Sequence, residues 1–136
     1  MYRSYQLSHA DAMKIVDAIH TEAEKRQKGA AIAVVDSHGE LLAFLRMDGC
    51  PLPPITIAQG KAFTSARERA ASFHVGKRSR EEGFPMTNFG DKRFVTWGGG
   101  IPIFYEGELV GAVGVSGLSE DEDMELAKLG IAALGL

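Results

Sequence analysis

The chain is 136 residues long, enough for one domain that buries roughly two thirds of its unfolded surface. Its 15 Lys and Arg against 18 Asp and Glu leave a net charge of -3, so no basic field favours nucleic acid and no block of like charge marks a tail. One cysteine, Cys50, excludes an internal disulfide and fits a reducing compartment, and no apolar run is long enough to span a membrane.

Residues 1–136 are therefore expected to form one cytoplasmic domain. Met1 to Gln6 has no apolar segment of the kind a secretory leader carries. Ser8 and Asp11 form a capping signature, because the hydroxyl can accept from a free amide of the first turn while the acid meets the positive end of the helix. A helix is expected from about His9, with Ala12, Ile15, Val16, Ile19 and Ala23 as its apolar stripe and Lys25 to Gly29 closing it. His20 flanks that stripe. Ala30 to Asp36 is an apolar β-prone run, Ser37-His38-Gly39 a turn, and Glu40 to Met47 a second strand, which together read as a hairpin.

Asp48 to Pro54 must be a loop, since three of its residues are prolines that lack amide donors and fix φ. A second helix is expected from about Ile55 through Ala71, with Ala58, Ala62, Ser65, Ala66 and Ala70 as a narrow small-residue face. Phe73 to Asp91 reads as a short helix and a long loop. A loop of this length either covers a site, which makes it a candidate lid, or carries aromatic residues that fill a satellite core.

From Phe94 to Gly117 glycine and apolar residues alternate densely, as in the heart of a sheet. Strict alternation puts Leu109, Val113 and Val115 on one face and Val110 and Ala112 on the other. Gly111 and Gly114 imply close packing against the backbone. Ser119 to Glu122 is a second capping box, followed by a helix with Met124, Ala127, Ile131 and Leu134 as its stripe. Tight turns such as Glu106-Gly107 imply antiparallel pairing, so the fold class is α+β, with helices on an antiparallel sheet of about five strands.

The four histidines, His9, His20, His38 and His74, show no metal-ligand spacing. His20, an imidazole beside an apolar stripe, is either a boundary residue or a candidate heme ligand. Gly98, Gly99 and Gly100 let backbone approach a ligand and can aim amides at an anion, or they form a turn or bulge between strands. Lys61 and Thr64 stand one turn apart, placing an ammonium and a hydroxyl on neighbouring surface. Arg46, Asp48 and Trp97 carry the same choice between ligand contact and ordinary surface. No catalytic triad can be assigned from residue order.

Four motifs in order, Val34-Val35-Asp36-Ser37-His38-Gly39 with Arg46-Met47-Asp48-Gly49, Ala58 to Ala66, Gly99-Gly100-Ile101-Pro102 and Gly111 to Gly117, resemble the GlcG/HbpS family, which also includes the C-terminal domain of PduO-type proteins. The resemblance spans nearly the whole chain. It implies a profilin-like antiparallel sheet flanked by helices, assembly into homo-oligomers, and heme or a related tetrapyrrole as a candidate ligand with His20 as candidate axial ligand.

Two functions follow as expectations. One is a binding module for heme or another flat anionic metabolite, accessory to a catabolic pathway, whose ligand contacts come from His20, Arg46, Lys61, Thr64, Phe89, Trp97 and Gly98 to Gly100. The other is a cofactor-independent enzyme acting on a small carboxylate or enol-like catabolite, with Lys61 as clamp or base and the Gly98 to Gly100 amides holding an oxyanion.

Overall fold

A computed structural model describes residues 1–136. Its elements are α1 (His9–Lys25), β1 (Ala31–Asp36), β2 (Leu41–Arg46), α2 (Pro54–Glu68), α3 (Ser72–Glu82), β3 (Gly100–Tyr105), β4 (Glu108–Ser116) and α4 (Glu120–Ala132), with a 3-10 turn at Met86–Phe89. The four strands pair antiparallel in the order β2-β1-β4-β3. α1 and α4 cover one face of this sheet and α2 the other, giving three layers with apolar packing on both sides of β1 and β4.

The capping signature at Ser8 operates in both directions: Ser8 Oγ accepts from the Asp11 amide at 3.0 Å, and Asp11 accepts from the Ser8 amide at 3.3 Å. The five expected stripe residues of α1 are all buried. The hairpin also forms, with Gly39 at φ 91 supplying the left-handed position of its turn.

Three details differ from the expectation. The sheet has four strands rather than about five, because Phe94 to Trp97 lies along α2: the Val95 amide donates to Thr64 Oγ1 at 2.8 Å and not to a strand ladder. α2 ends at Glu68, where Arg69 takes φ 56 and Ser72 begins a separate helix. Leu109 and Val110 exchange the faces assigned by strict alternation, since β4 bulges opposite the step from Ile103 to Phe104, where Val110 is the extra residue. Leu109 thus packs with Ala112 under α2, and Val110 joins Val113 and Val115 under α1 and α4.

Of the stripe expected on α4, Ala127 is buried and Ile131 and Leu134 pack half-buried against the core, while Asp123 rather than Met124 is buried in the first turn. Asp123, Leu126, Ala127 and Gly130 face inward, and Gly130 is the crossing point with α1, since a Cβ there would lie 2.6 Å from Ile19 Cδ1.

Candidate functional site

β4 leaves the sheet at Ser116 and β3 enters it at Gly100, so chain from both helical layers meets at this end. Lys61 reaches from α2 past the sheet to the opposite layer. Its Nζ donates to the Val115 carbonyl at 2.9 Å and to Asp123 Oδ2 of α4 at 3.1 Å, and both side chains are almost fully buried, Lys61 at 3% exposure and Asp123 at 2%. Burial pushes the Lys61 amine down and the Asp123 carboxyl up from their ordinary ranges, while each partner opposes the shift of the other. Asp123 Oδ1 also accepts from the Leu118 amide at 3.2 Å.

The three glycines thread between these groups. The Gly98 amide donates to Glu120 Oε2 at 2.8 Å and the Gly100 amide to Ser72 Oγ at 2.9 Å, while Ser72 Oγ donates to the Trp97 carbonyl at 2.7 Å. Gly99 stands at φ 131, and a Cβ on it would fall 2.4 Å from the Val115 carbonyl oxygen and 2.9 Å from Lys61 Nζ. Two of the three amides are thus engaged within the chain, and the segment has glycine where neighbouring groups leave no room. Trp97, 63% exposed, stands at a small cleft of about 200 Å3 that it lines with Lys61, Ser116, Glu120 and Asp123.

Thr64 and Phe89 belong to a neighbouring arrangement. The fully buried Thr64 hydroxyl anchors Val95, and Phe89 packs edge-on against Phe94, which packs edge-on against Phe63, each pair 5.0 Å between ring centres. Gly60 lets the segment 93–97, a strap across α2, approach the helix, since a Cβ there would meet Val95 Cγ2 at 2.4 Å. Next to Thr64, the Ser65 hydroxyl is buried without a hydrogen-bond partner. Ser65→Ala is expected to leave the fold intact and raise stability by up to about 1 kcal/mol, because an unmade buried hydrogen bond carries a desolvation cost. Thermal melting of the two proteins measures the difference.

His20 and Arg46 come together elsewhere, in a cleft of about 520 Å3 that they line with Glu24, Lys28, Leu45 and Met47. Arg46 and Ser116 are both opposite Ala31 in the sheet. The His20 and Lys61 clefts therefore share one end of the sheet and lie two strands apart, about 10 Å at the usual strand spacing. The helical turn between His20 and Glu24 puts imidazole Nε2 3.0 Å from the carboxylate. The His20 imidazole is the kind of donor that suits iron, and Arg46 and Lys28 are the kind that suit propionates, with Leu45 and Met47 as the apolar part of a lining that also holds the carboxylates of Glu24 and Asp48.

The residues expected to act as one site thus divide into His20 with Arg46, Lys61 with Trp97 and Gly98, and Thr64 with Phe89 along the strap, with Gly99 and Gly100 packed behind Lys61. Asp123, Glu120 and Ser72 were not anticipated as partners. For Asp123 a signal exists in the sequence: an acid four residues before Ala127 sits on a helix face otherwise made of apolar and small residues.

A family model described as Haem degrading protein HbpS-like matches residues 7–132. Protein GlcG of Escherichia coli strain K12 is 38% identical over 116 residues, covering 81% of each chain. Among solved structures, a double mutant of Streptomyces reticuli HbpS superposes with a TM-score of 0.90 at 31% identity, covering 100% of this chain and 92% of that one. A PduOC:heme complex superposes with a TM-score of 0.87 at 28% identity, covering 94% of both.

Proposed function

The chain belongs to the HbpS-like family, and on that premise we propose that it binds heme, or another flat anionic metabolite, in the cleft between α1 and the end of β2, as an accessory protein of a catabolic pathway. The observation that carries the reading is the convergence of His20, Arg46 and Lys28 on one cleft of about 520 Å3; the structural likeness to a protein solved with heme supports it.

In this arrangement the imidazole of His20 would ligate the iron, for which it must first release Glu24 if it ligates through Nε2. Arg46 and Lys28 would pair the carboxylates at the cleft mouth. Bound heme would supply an iron centre for ligand-binding or redox chemistry, with His20, Arg46 and Lys28 as the residues that would hold it. Assembly into a homo-oligomer is part of the same proposal, with the exposed side chains of Met13, Leu52, Trp97 and Phe104 as candidate contacts. Light scattering that returned a monomer at every concentration would remove that part.

Hemin titration provides the main test. A Soret band displaced from that of free hemin is expected at micromolar heme. His20→Ala should abolish the displacement, and Arg46→Glu should weaken binding about tenfold through loss of a propionate partner and addition of a like charge. An unshifted band in the parent protein, or the same shift in His20→Ala, would refute the assignment of the site.

The enzyme reading has less support from the geometry. The Lys61 amine is committed to Val115 and Asp123, and the Gly98 and Gly100 amides to Glu120 and Ser72.

A further inference from the structure

At the end of the sheet away from the His20 cleft, a third cleft of about 320 Å3 opens between the hairpin turn, α2 and the strap. Its floor and walls are apolar, formed by Val35, Leu41, Ile57, Phe63 and Val95. This volume lies at the lower end of the range for small-molecule sites, and the mixture of an apolar body with few polar groups is the usual one for them.

Three contacts hold the cleft open in advance of any ligand. The Val95 amide is fixed by Thr64 Oγ1 at 2.8 Å. Arg93 Nη1 binds Glu40 at 2.9 Å, joining the strap to the start of β2. Gly60 brings the strap against α2 so closely that a side chain on it would strike Val95 and the Arg93 carbonyl. Leu41 remains 49% exposed at the rim although it belongs to a strand with an apolar run, so apolar surface is left uncovered there.

The rim has a definite charge. Arg93 is held by Asp91 and Glu40, and Arg67 lies 3.7 Å from the same Glu40 carboxylate. Lys92, which also lines the cleft, enters no ion pair. Three cations thus face two carboxylates, and the uncompensated positive charge stands on the one side chain free to move toward a ligand. Both guanidinium groups lie over the Phe63 ring, 4.0 Å from its centre for Arg93 and 4.6 Å for Arg67, which fixes that wall.

We propose that this cleft is a binding site for a small apolar monocarboxylate, an aromatic or branched aliphatic acid whose hydrocarbon body lies on Leu41, Ile57 and Val95 and whose carboxylate pairs with Lys92. The site goes beyond the heme reading and stands or falls separately from it, since it shares no lining residue with the His20 cleft.

The test is an amide NMR titration of the whole chain with benzoate, and with benzamide as the uncharged analogue. Saturable shifts are expected in residues 39–41, 56–60 and 92–95, with a roughly millimolar dissociation constant and about tenfold weaker binding of benzamide. Lys92→Glu should weaken benzoate about tenfold and leave benzamide unchanged. Ile57→Trp should remove binding of both by filling the cleft, and its melting temperature verifies that the fold survives. Absence of saturable shifts, shifts centred on His20 and Arg46, or equal affinity for benzoate and benzamide would each overturn the proposal. Hemin titration of Ile57→Trp keeps the two sites apart, because heme binding there should match the parent.

Discussion

Lys61→Met is expected to destabilise the fold by about 3–5 kcal/mol, the cost of leaving a buried carboxylate without its partner. The methionine fills most of the volume of the lysine chain, so the loss is electrostatic and not a cavity. With Asp123 at 2% exposure, the carboxylate has little access to water; it retains the Leu118 amide at 3.2 Å, which alone does not balance a full charge. The companion Lys61→Met with Asp123→Leu should recover most of the loss, because replacing both members of a buried pair by apolar groups is often near neutral. Recovery will be incomplete, since the Val115 carbonyl and Leu118 amide then lose their partners at about 1 kcal/mol each. Denaturant unfolding of the two single variants and the double variant gives the coupling directly. If the single and double variants are equally unstable, the ion pair is not what joins α2 to α4.

Much of the fold could be read from residue patterns because its determinants are local. The cap at Ser8, the stripe from Ala12 to Ala23 and the turn at Gly39 each depend on neighbours within a few positions, and each forms as expected. What escaped the sequence depends on contacts between distant segments. Lys61 and Asp123 are 62 residues apart, and nothing near either one in the chain records the other. Phe94 to Trp97 has the composition of a strand, yet Thr64 and Gly60 on α2 capture it instead. The same holds for the candidate site. His20 and Arg46 could be singled out one at a time by chemistry, but their convergence required the close of α1 and the end of β2 to meet. Trp97, by contrast, stands with Lys61, and the sequence offered no means of separating those two groups.

The second large effect is expected at Gly114, where substitution by valine should cost roughly 3–5 kcal/mol and lower the melting temperature by about 10–20 °C. On strand propensity alone the sign would be the reverse, because valine suits a strand and glycine weakens one. Geometry decides the matter. Gly114 is opposite Ala33 on one side and Gly100 on the other, and directly opposed residues in neighbouring strands project to the same face. The row Ala33, Gly114, Gly100 therefore presents almost no side chain to α2. The helix backbone takes up that space: a Cβ on Gly114 would lie 2.1 Å from the Ala58 carbonyl oxygen, and one on Gly100 2.2 Å from that of Lys61. Neither obstacle is a flexible side chain, so α2 itself would have to lift, and with it the strap anchored on Thr64 and the amine of Lys61. The triple glycine before β3 and the glycines of β4, two separate features of the sequence, thus form part of one flat patch on which α2 rests. Gly114→Ala tests this most sharply, because it adds only the clashing atom: it should already show most of the loss, measured by thermal melting, and a variant as stable as the parent would mean that α2 does not sit this close to the sheet.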